Sequence, residues 1–487
     1  MGNQYSIPLM NAKKKKIFFV LGGGAAALVL AVVVLALTFD INSYKPRIEA
    51  ASSGATGLEV RINGKMGISF FPFGISAKDV HFANKGNEII SLENLRLGAE
   101  LMPLLKRQLK VTSCELVKPA ITIVKDADGK YNFENTEKKS TKGQPGAAFS
   151  LNDLKLSKGV LVYLDKKTGE KTEFKDFNLD SKNFSVAGTS GKIIKDIAFT
   201  GNMDCREVRK KDLNIDNVKS PVKAEKGVIH LTSLTMDIFG AKAEGDATAD
   251  KSGVDAAYKI NLKILKLDFA KLQESFGTKK TIGGKGDLYA SLTMKENGSR
   301  NLMSSMDGTF SLRGDNLVMY TMDLDKVLSS YETSQKFNLV DLGAFFIAGP
   351  LSTVALKGYR YGDFYNQTRG GQGAITQFIS HWKIKDGVAE AADCALATRN
   401  NRVALKGRLN LLSKRYDNVI VALLNDKGCA TFKQGISGPF GSPRIGAVNA
   451  VESLAGPIFH LYRKAKRFVQ GGKCEVFYNG SVRQPAK

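Results

Sequence analysis

The chain has 487 residues, 43% of them hydrophobic and 24% charged, with a formal net charge of +24. That apolar content excludes a disordered chain and allows roughly two to four domains with sizeable cores. The five cysteines (Cys114, Cys205, Cys394, Cys429, Cys474) stand far apart with no Cys-x-x-Cys pair, which argues against a zinc ribbon or a dithiol redox motif.

Four consecutive lysines, Lys13, Lys14, Lys15 and Lys16, precede a run from Ile17 to Leu37 that holds no charge and no side-chain amide. A helix over this run, at ~1.5 Å per residue, covers the ~30 Å hydrocarbon core of a bilayer. A cleavable signal peptide has a shorter apolar region and a small-x-small cleavage site, so the run reads as a retained transmembrane anchor. The lysines place the N-terminus on the cytoplasmic side and the rest of the chain across the membrane. With the basic portion there, anionic lipid head groups are more natural partners than nucleic acid; the plainer reading is that excess lysine solvates strand faces.

Phe39 to Ala55 reads as a short helix leaving the membrane. Leu58, Val60 and Ile62 then alternate with polar residues up to a turn at Gly64-Lys65. Asp79 and His81 share one face of the next strand, a plain wet surface on this evidence. Leu101 to Lys110 has leucines at helical spacing opposite basic residues, the pattern of a short amphipathic helix. Asp126 to Gly129 is a hairpin turn that lacks the later ligands of a calcium loop. A Gly-, Pro- and Lys-rich stretch at 136–148 is the clearest linker.

A phrase of apolar, any, any, apolar, any, apolar recurs at Leu92–Leu97, Leu151–Leu156, Phe174–Leu179, Ile194–Phe199 and Leu231–Met236. Its extra residue fits a bulge or turn that re-aims a strand. Between these phrases lie alternating strands. Leu234, Met236 and Ile238 close the last phrase; Tyr258, Ile260, Leu262 and Ile264 alternate with polar residues, as do Leu288, Leu292 and Met294 around Ala290. Val403, Leu405, Leu409 and Leu411 alternate with Ala404, Lys406, Arg408 and Asn410. Lys158-Gly159, Lys226-Gly227 and Asp386-Gly387 read as turns. The sum is a mainly β chain with a large antiparallel sheet, one face apolar and one wet. Two sheets packed as a sandwich, the simpler answer on periodicity alone, or one curved sheet whose apolar face lines a groove both satisfy the pattern.

Helical signals return at Asp323 to Phe337, at Leu339 to Leu356, and at Ala447 to Val469. The last carries Arg463, Lys464, Lys466 and Arg467 near its end, which suit a helix C-terminus or docking on an anionic membrane surface or partner. Cys429 and Cys474, both in the C-terminal segment, are the expected disulfide in an oxidising compartment.

Catalytic constellations are missing from the sequence. The four histidines are scattered, no nucleophile elbow or P-loop occurs, and Gly283-Gly284-Lys285-Gly286 precedes a strand where a phosphate cradle precedes a helix. No enzyme activity, cofactor or metal is expected.

The anchor followed by Phe39-Asp40-Ile41-Asn42-Ser43-Tyr44, then Ile62-Asn63-Gly64-Lys65 and Ser69-Phe70-Phe71-Pro72, resembles the N-terminal signature of the AsmA family of bacterial envelope proteins. Leu231 to Thr248, with Ile238-Phe239-Gly240-Ala241 and Gly245, resembles that family's strand-Gly-strand unit, and Gly284 to Val327, with Asp307-Gly308-Thr309-Phe310, is similar to its C-terminal domain. The resemblance implies an N-terminal transmembrane helix followed by a long antiparallel curved sheet, or groove, with a few capping and C-terminal helices, related to TamB and the chorein-type bridge-like lipid carriers. It implies a single-pass bacterial inner-membrane protein, its bulk periplasmic, that binds phospholipid acyl chains in the groove and supports lipid transport to, and assembly of, the outer membrane. The alternating apolar residues named above become its groove lining. Its C-terminal end would meet the outer membrane or an envelope partner. The alternative is a scaffold or regulator of outer-membrane protein or lipopolysaccharide assembly that carries no lipid. The expected divisions are a cytoplasmic tail (1–16), the anchor (17–37), an N-terminal AsmA-like β region (38–135), the linker (136–148), a central groove (149–315), a C-terminal AsmA-like β domain with helices (316–445), and a basic helix and tail (446–487).

Overall fold

The computed structural model describes residues 41–56, 58–70, 72–100, 110–133, 149–187, 193–211, 213–275, 280, 282–296, 302–320, 323–326, 371–440, 442–446, 449–450 and 475–485. These contain 22 strands and few helices. Among the described residues no helix is long and apolar enough to cross a membrane. The Ile17–Leu37 run, the lysine quartet, the 101–109 stretch, the linker, and the segments 327–370 and 451–474 lie outside them; the helix expected from Ala447 does not begin there, because Asn449–Ala450 form a short strand paired with Lys433 and Phe432. The chain divides into two units, Met1–Ala120 with Asn132–Glu137, and Ile121–Tyr131 with Lys138–Lys487.

In the first unit, helix α1 (Lys45–Thr56) precedes strands β1 (Glu59–Ile62), β2 (Met66–Phe70), β3 (Phe73–Asn84) and β4 (Asn87–Ala99), and β5 (Val111–Lys125) begins here. Gly64-Lys65 is not a hairpin. Strands β1 and β2 both pair with β3, along its second and first halves, so they are one edge strand interrupted at Asn63–Lys65. An edge strand exposes unpaired backbone donors. Here side chains of the preceding segment take them: Ile62 N–H donates to Glu49 Oε1 (2.6 Å), Val60 N–H to Ser53 Oγ (2.9 Å) and Met66 N–H to Asn42 Oδ1 (2.8 Å). The helix thus lies along the sheet edge and closes it to further pairing. Its apolar contribution, Ile48, joins Val60, Ile62, Met66, Val80 and Leu92 in one core.

Asp79 in β3 takes φ 53°, and it meets His81. His81 Nε2 lies 2.9 Å from Asp79 Oδ1 and Nδ1 lies 2.6 Å from Glu88 Oε2, so both ring nitrogens face carboxylates. The Glu88 and Asp79 hydrogen bonds, in that order, hold the imidazolium and raise its pKa above the ordinary 6.5. A raised folded-state pKa contributes stability that is fully present below about pH 6.5 and is lost as pH rises through the folded value. The melting temperature is therefore expected to fall across that window, and His81→Gln is expected to flatten the dependence. An unchanged pH profile in the variant would remove His81 as its source.

The second unit is an antiparallel meander. It takes in the end of β5 and then β6 (Phe149–Asp165), β7 (Glu170–Val186), β8 (Ile197–Lys210), β9 (Leu213–Glu225), β10 (Val228–Ile238), β11 (Ala241–Asp250) and β12 (Ala257–Asp268). After helix α2 (Phe269–Ser275) follow β13 (Ile282–Gly283), β14 (Lys285–Lys295), β15 (Asp307–Met319), β16 (Gly373–Lys385), β17 (Val388–Ala397), β18 (Arg402–Asn410), β19 (Arg415–Leu424), β20 (Ala430–Pro439), β21 (Arg444–Ile445) and β22 (Asn449–Ala450). From β6 to β20 each strand pairs with the next, except that β14 takes the place beside β12 and the short β13 pairs with β15. Lys226-Gly227 and Asp386-Gly387 are hairpin turns, as their positive φ at both positions requires.

At Phe174 and Leu231 the recurring phrase has a backbone cause, whereas no left-handed residue falls inside the phrases at Leu92 and Leu151. Lys158, Asp176, Asn183, Asn217, Ser233, Lys266 and Asn418 sit inside strands with φ from 48° to 56°. At each the pairing skips a residue, as between Leu231 and Leu234, Ile264 and Leu267, or Tyr416 and Val419. A left-handed bulge residue lets i and i+3 share a face, which an unbroken strand forbids. Neighbouring side chains accept the N–H that the bulge frees: Lys158 N–H donates to Asn178 Oδ1 (2.8 Å) and Lys266 N–H to Asp287 Oδ1 (2.9 Å). Lys158-Gly159 is therefore a bulge within β6, not a turn. The phrase at Ile194 differs again, because Ile193–Asp196 form a helical turn before β8. Asn418→Val, a β-branched residue in left-handed backbone, is expected to cost ~1–2 kcal/mol, with Asn418→Gly close to neutral. Urea denaturation of both variants checks this, and equal stabilities would show that the bulge tolerates any residue.

The expectation of one wet face fails for β16–β20. Ala395, Ala397, Ala404, Ala422 and Ala430 point away from the main core yet are buried, because Phe477, Tyr478 and Val482 of the C-terminal segment pack over them. Alanine leaves room for that segment to lie close. Tyr478 donates its hydroxyl to Asp393 Oδ1 (2.5 Å), Ser481 Oγ donates to Asp393 Oδ2 (2.7 Å), and Arg402 donates to the Val482 carbonyl. Cys429, bridged to Val476 by backbone pairing, is disulfide-bonded; its expected partner Cys474 lies outside the described residues. Cys114, Cys205 and Cys394 are free, and burial pushes their thiols up, Cys114 to about 12, which keeps them unreactive.

Candidate apolar groove

The register places the alternating residues of the second unit in cross-strand rows on one face. One row runs Leu231, Ala247, Ile260, Leu292, Gly308, Ile384, Ala389, Leu409, Tyr416. The next runs Leu234, Gly245, Leu262, Ala290, Phe310, Trp382, and a third Met236, Ala243, Ile264, Leu288, Leu312. Tyr258 and Met294 are paired at the outer end, and Ile238 stands at the inner one. The residues expected to line a groove on β10, β12 and β14 are thus brought together on one surface.

That surface changes character across the sheet. On β18, Val403, Leu405 and Leu409 are buried and belong to packed core, with Leu411 partly buried against it. On β12 exposure rises along the strand, from Ile264, which is buried, through half-buried Leu262 to Ile260 at 38%. Leu292, Met294 and Tyr258 are half-buried as well. The open region therefore lies towards β12, with β18 in its closed continuation.

Strand β11 gives the open region its floor. Every residue it presents to the apolar face is small: Ala241, Ala243, Gly245, Ala247 and Ala249. The flanking strands present Leu231, Leu234 and Met236 on one side and Tyr258, Ile260 and Leu262 on the other. The result is a channel along β11 between two apolar ridges about 9.6 Å apart, two strand spacings. A Cβ at Gly245 would collide with the Asn261 carbonyl, so this position also needs glycine for strand pairing.

One end of the face is closed by Phe269 and α2. Asp268 Oδ1 accepts from Ala270 N–H (2.9 Å) and Lys271 N–H (3.2 Å), which caps the helix start. Phe269 then lies fully buried over Gly286 and Gly314, which pair across β14 and β15. At the other end Tyr258 directs its hydroxyl to Glu296 Oε2 (3.5 Å). The surface is therefore apolar, closed at one end and rimmed by polar groups at the other.

The apolar face also continues towards β7. Phe174, Phe177, Met203, Cys205, Val218 and Leu234 form a second cluster, and Ile215 and Met236 belong to both clusters. Sequence reading missed Phe174 and Phe177 as lining, and it missed the β11 floor. The strict alternation from Ala241 to Ala249 was the available signal. The membrane-surface residues Lys13, Lys14, Lys15, Lys16, Arg463, Lys464, Lys466 and Arg467 lie outside the described residues. Among the described residues no group of three or more metal-ligating side chains converges.

No curated protein and no solved structure matches the chain. The family profile described as AsmA family matches residues 13–205 and 188–394. The two matches overlap and together span well over half of the sequence. The chain belongs to the AsmA family.

Proposed function

We propose that the apolar face of the second unit holds phospholipid acyl chains, and that the protein is a non-catalytic lipid carrier of the bacterial envelope. The observation that carries this reading is continuity: one apolar surface runs from β7 to β20 through the shared residues Ile215 and Met236, and it is half-exposed between β7 and β12. An exposed apolar surface of this extent costs about 25 cal/mol per Å² against water, so it calls for an occupant. A smooth floor of alanine and glycine favours a flexible, unbranched one.

The Ile17–Leu37 run supports an inner-membrane anchor with a cytoplasmic N-terminus and a periplasmic bulk. Family membership and the β sheet support a role in moving lipid towards, and assembling, the outer membrane. Fourteen consecutive strands from β6 to β20 at ~4.8 Å spacing give this sheet a width of about 60 Å. The test is mass spectrometry of lipids retained by the full chain after detergent extraction and a high-salt wash, against a control protein of similar charge. Several phospholipids per chain are expected. None above control from a folded sample would overturn the carrier and leave the scaffold.

A further inference from the structure

The opposite face of the same strands carries a cavity of about 560 Å³, within the ~300–1,000 Å³ of small-molecule sites. Its floor is one cross-strand row: Glu244, Lys263, Tyr289, Ser311, His381, Asp393. Five strand spacings make this a trough about 24 Å long. An acid stands at each end, and the middle offers an exposed tyrosine ring and a hydroxyl. Arg313 flanks the row, with Ser291 and Thr309 on its other side. Asp393 is held in place by Tyr478 and Ser481, so one end wall is rigid.

We propose that this trough is a binding site for a short anionic saccharide. Three features point to that chemistry. Lys263 and Arg313 line the cavity without a carboxylate within 4.0 Å among the described residues, so two cations stand ready for an anionic group. Hydroxyl-bearing side chains and end carboxylates match the donors and acceptors of a sugar, and the 40%-exposed Tyr289 ring offers a flat surface for the C–H face of a pyranose. A peptide fits less well. Each of β11, β12, β14, β15 and β16 is paired along both edges at this row, so no strand can be added. The site lies on the face away from the proposed acyl groove, so the two proposals fail independently.

The sugar ring and its acid could belong to a free glycan or to a glycolipid head group. The experiment titrates the full chain in detergent with trigalacturonate, maltotriose and inorganic phosphate, and separately with phosphatidylcholine vesicles that carry a minor fraction of sulfated galactosylceramide. Trigalacturonate is expected to bind more tightly than maltotriose or phosphate. Lys263→Gln with Arg313→Gln is expected to weaken it roughly tenfold or more, the loss of charge-assisted hydrogen bonds. Tyr289→Ala is expected to weaken both sugars. Because all three side chains are exposed, the fold should survive, with Trp382 fluorescence as the check. Binding of the vesicles, lost in the double variant, would assign a head group; binding of trigalacturonate alone would assign a free glycan. Equal affinity for phosphate, or affinity for any sugar unchanged in the variants, would overturn the proposal.

Discussion

Phe269→Ala is expected to destabilise the second unit by ~3–5 kcal/mol, the cost of emptying a fully buried aromatic position. The ring has no alternative place to be filled from. Beneath it lie Gly286 and Gly314, which have no side chains to relax into the void. Above it α2 is fixed by Gln273, whose Nε2 donates to the carbonyls of Phe269 (2.7 Å) and Ile282 (2.8 Å) while its Oε1 accepts from Ile282 N–H (3.3 Å). The sole tryptophan, Trp382, is buried in the same core and reports the loss directly during urea denaturation. A second variant separates ring packing from helix loss. A Cβ at Gly314 would stand 3.1 Å from the Phe269 ring and about as close to the Leu317 side chain. Gly314→Ala should therefore destabilise the native protein and cost less in the Phe269→Ala background. Additive effects would mean that the ring and the glycine do not touch.

Much of this architecture was legible because alternation at period two is a strong signal. Tyr258 to Ile264 and Leu288 to Met294 announce their strands, and the register then puts them side by side. The recurring phrase was legible too, but not which of its occurrences carry a bulge. Asp176 and Ser233 in third place adopt φ near 50° whereas Asn94 and Asp153 in the same place do not, and the same pattern with Lys266 at Ile264–Phe269 and Asn418 at Tyr416–Val421 went unread. What alternation cannot show is which strand faces are covered by distant chain. Ala404 reads like any residue of an exposed face, yet it is buried by Phe477 and Tyr478, more than seventy positions later. The same limit applies to the candidate groove. Leu405 and Ile260 have equal claims from periodicity, but one is core and the other surface, because burial is set by Phe269, α2 and the packing around β16–β20. The edge-capping contacts of Asn42, Glu49 and Ser53 were hidden for a related reason: a polar side chain in a short helical segment carries no mark of the strand it will meet.

Ile260→Asp is expected to remove most of the phospholipid that copurifies with the full chain while leaving its fold intact. The position separates function from stability better than its neighbours. Leu405→Asp or Ile264→Asp would place a carboxylate in a dry core and cost several kcal/mol, so loss of lipid there would be uninformative. At Ile260 the side chain is 38% exposed without ligand, so an aspartate there remains hydrated in the free protein. Only an acyl chain lying along β11 would strip its water, and the carboxylate would then oppose binding by the full cost of desolvation. Thr293→Asp supplies the control, since Thr293 is exposed on the polar face of β14, one position from Leu292, the cross-strand partner of Ile260. It adds the same charge at nearly the same place but on the other side of the sheet. Lipid lost from Ile260→Asp and kept by Thr293→Asp, with Trp382 fluorescence unchanged in both, would locate the acyl chains on the β11 channel. Equal retention by both variants would mean that the exposed apolar face carries no lipid, and the scaffold reading would replace the carrier.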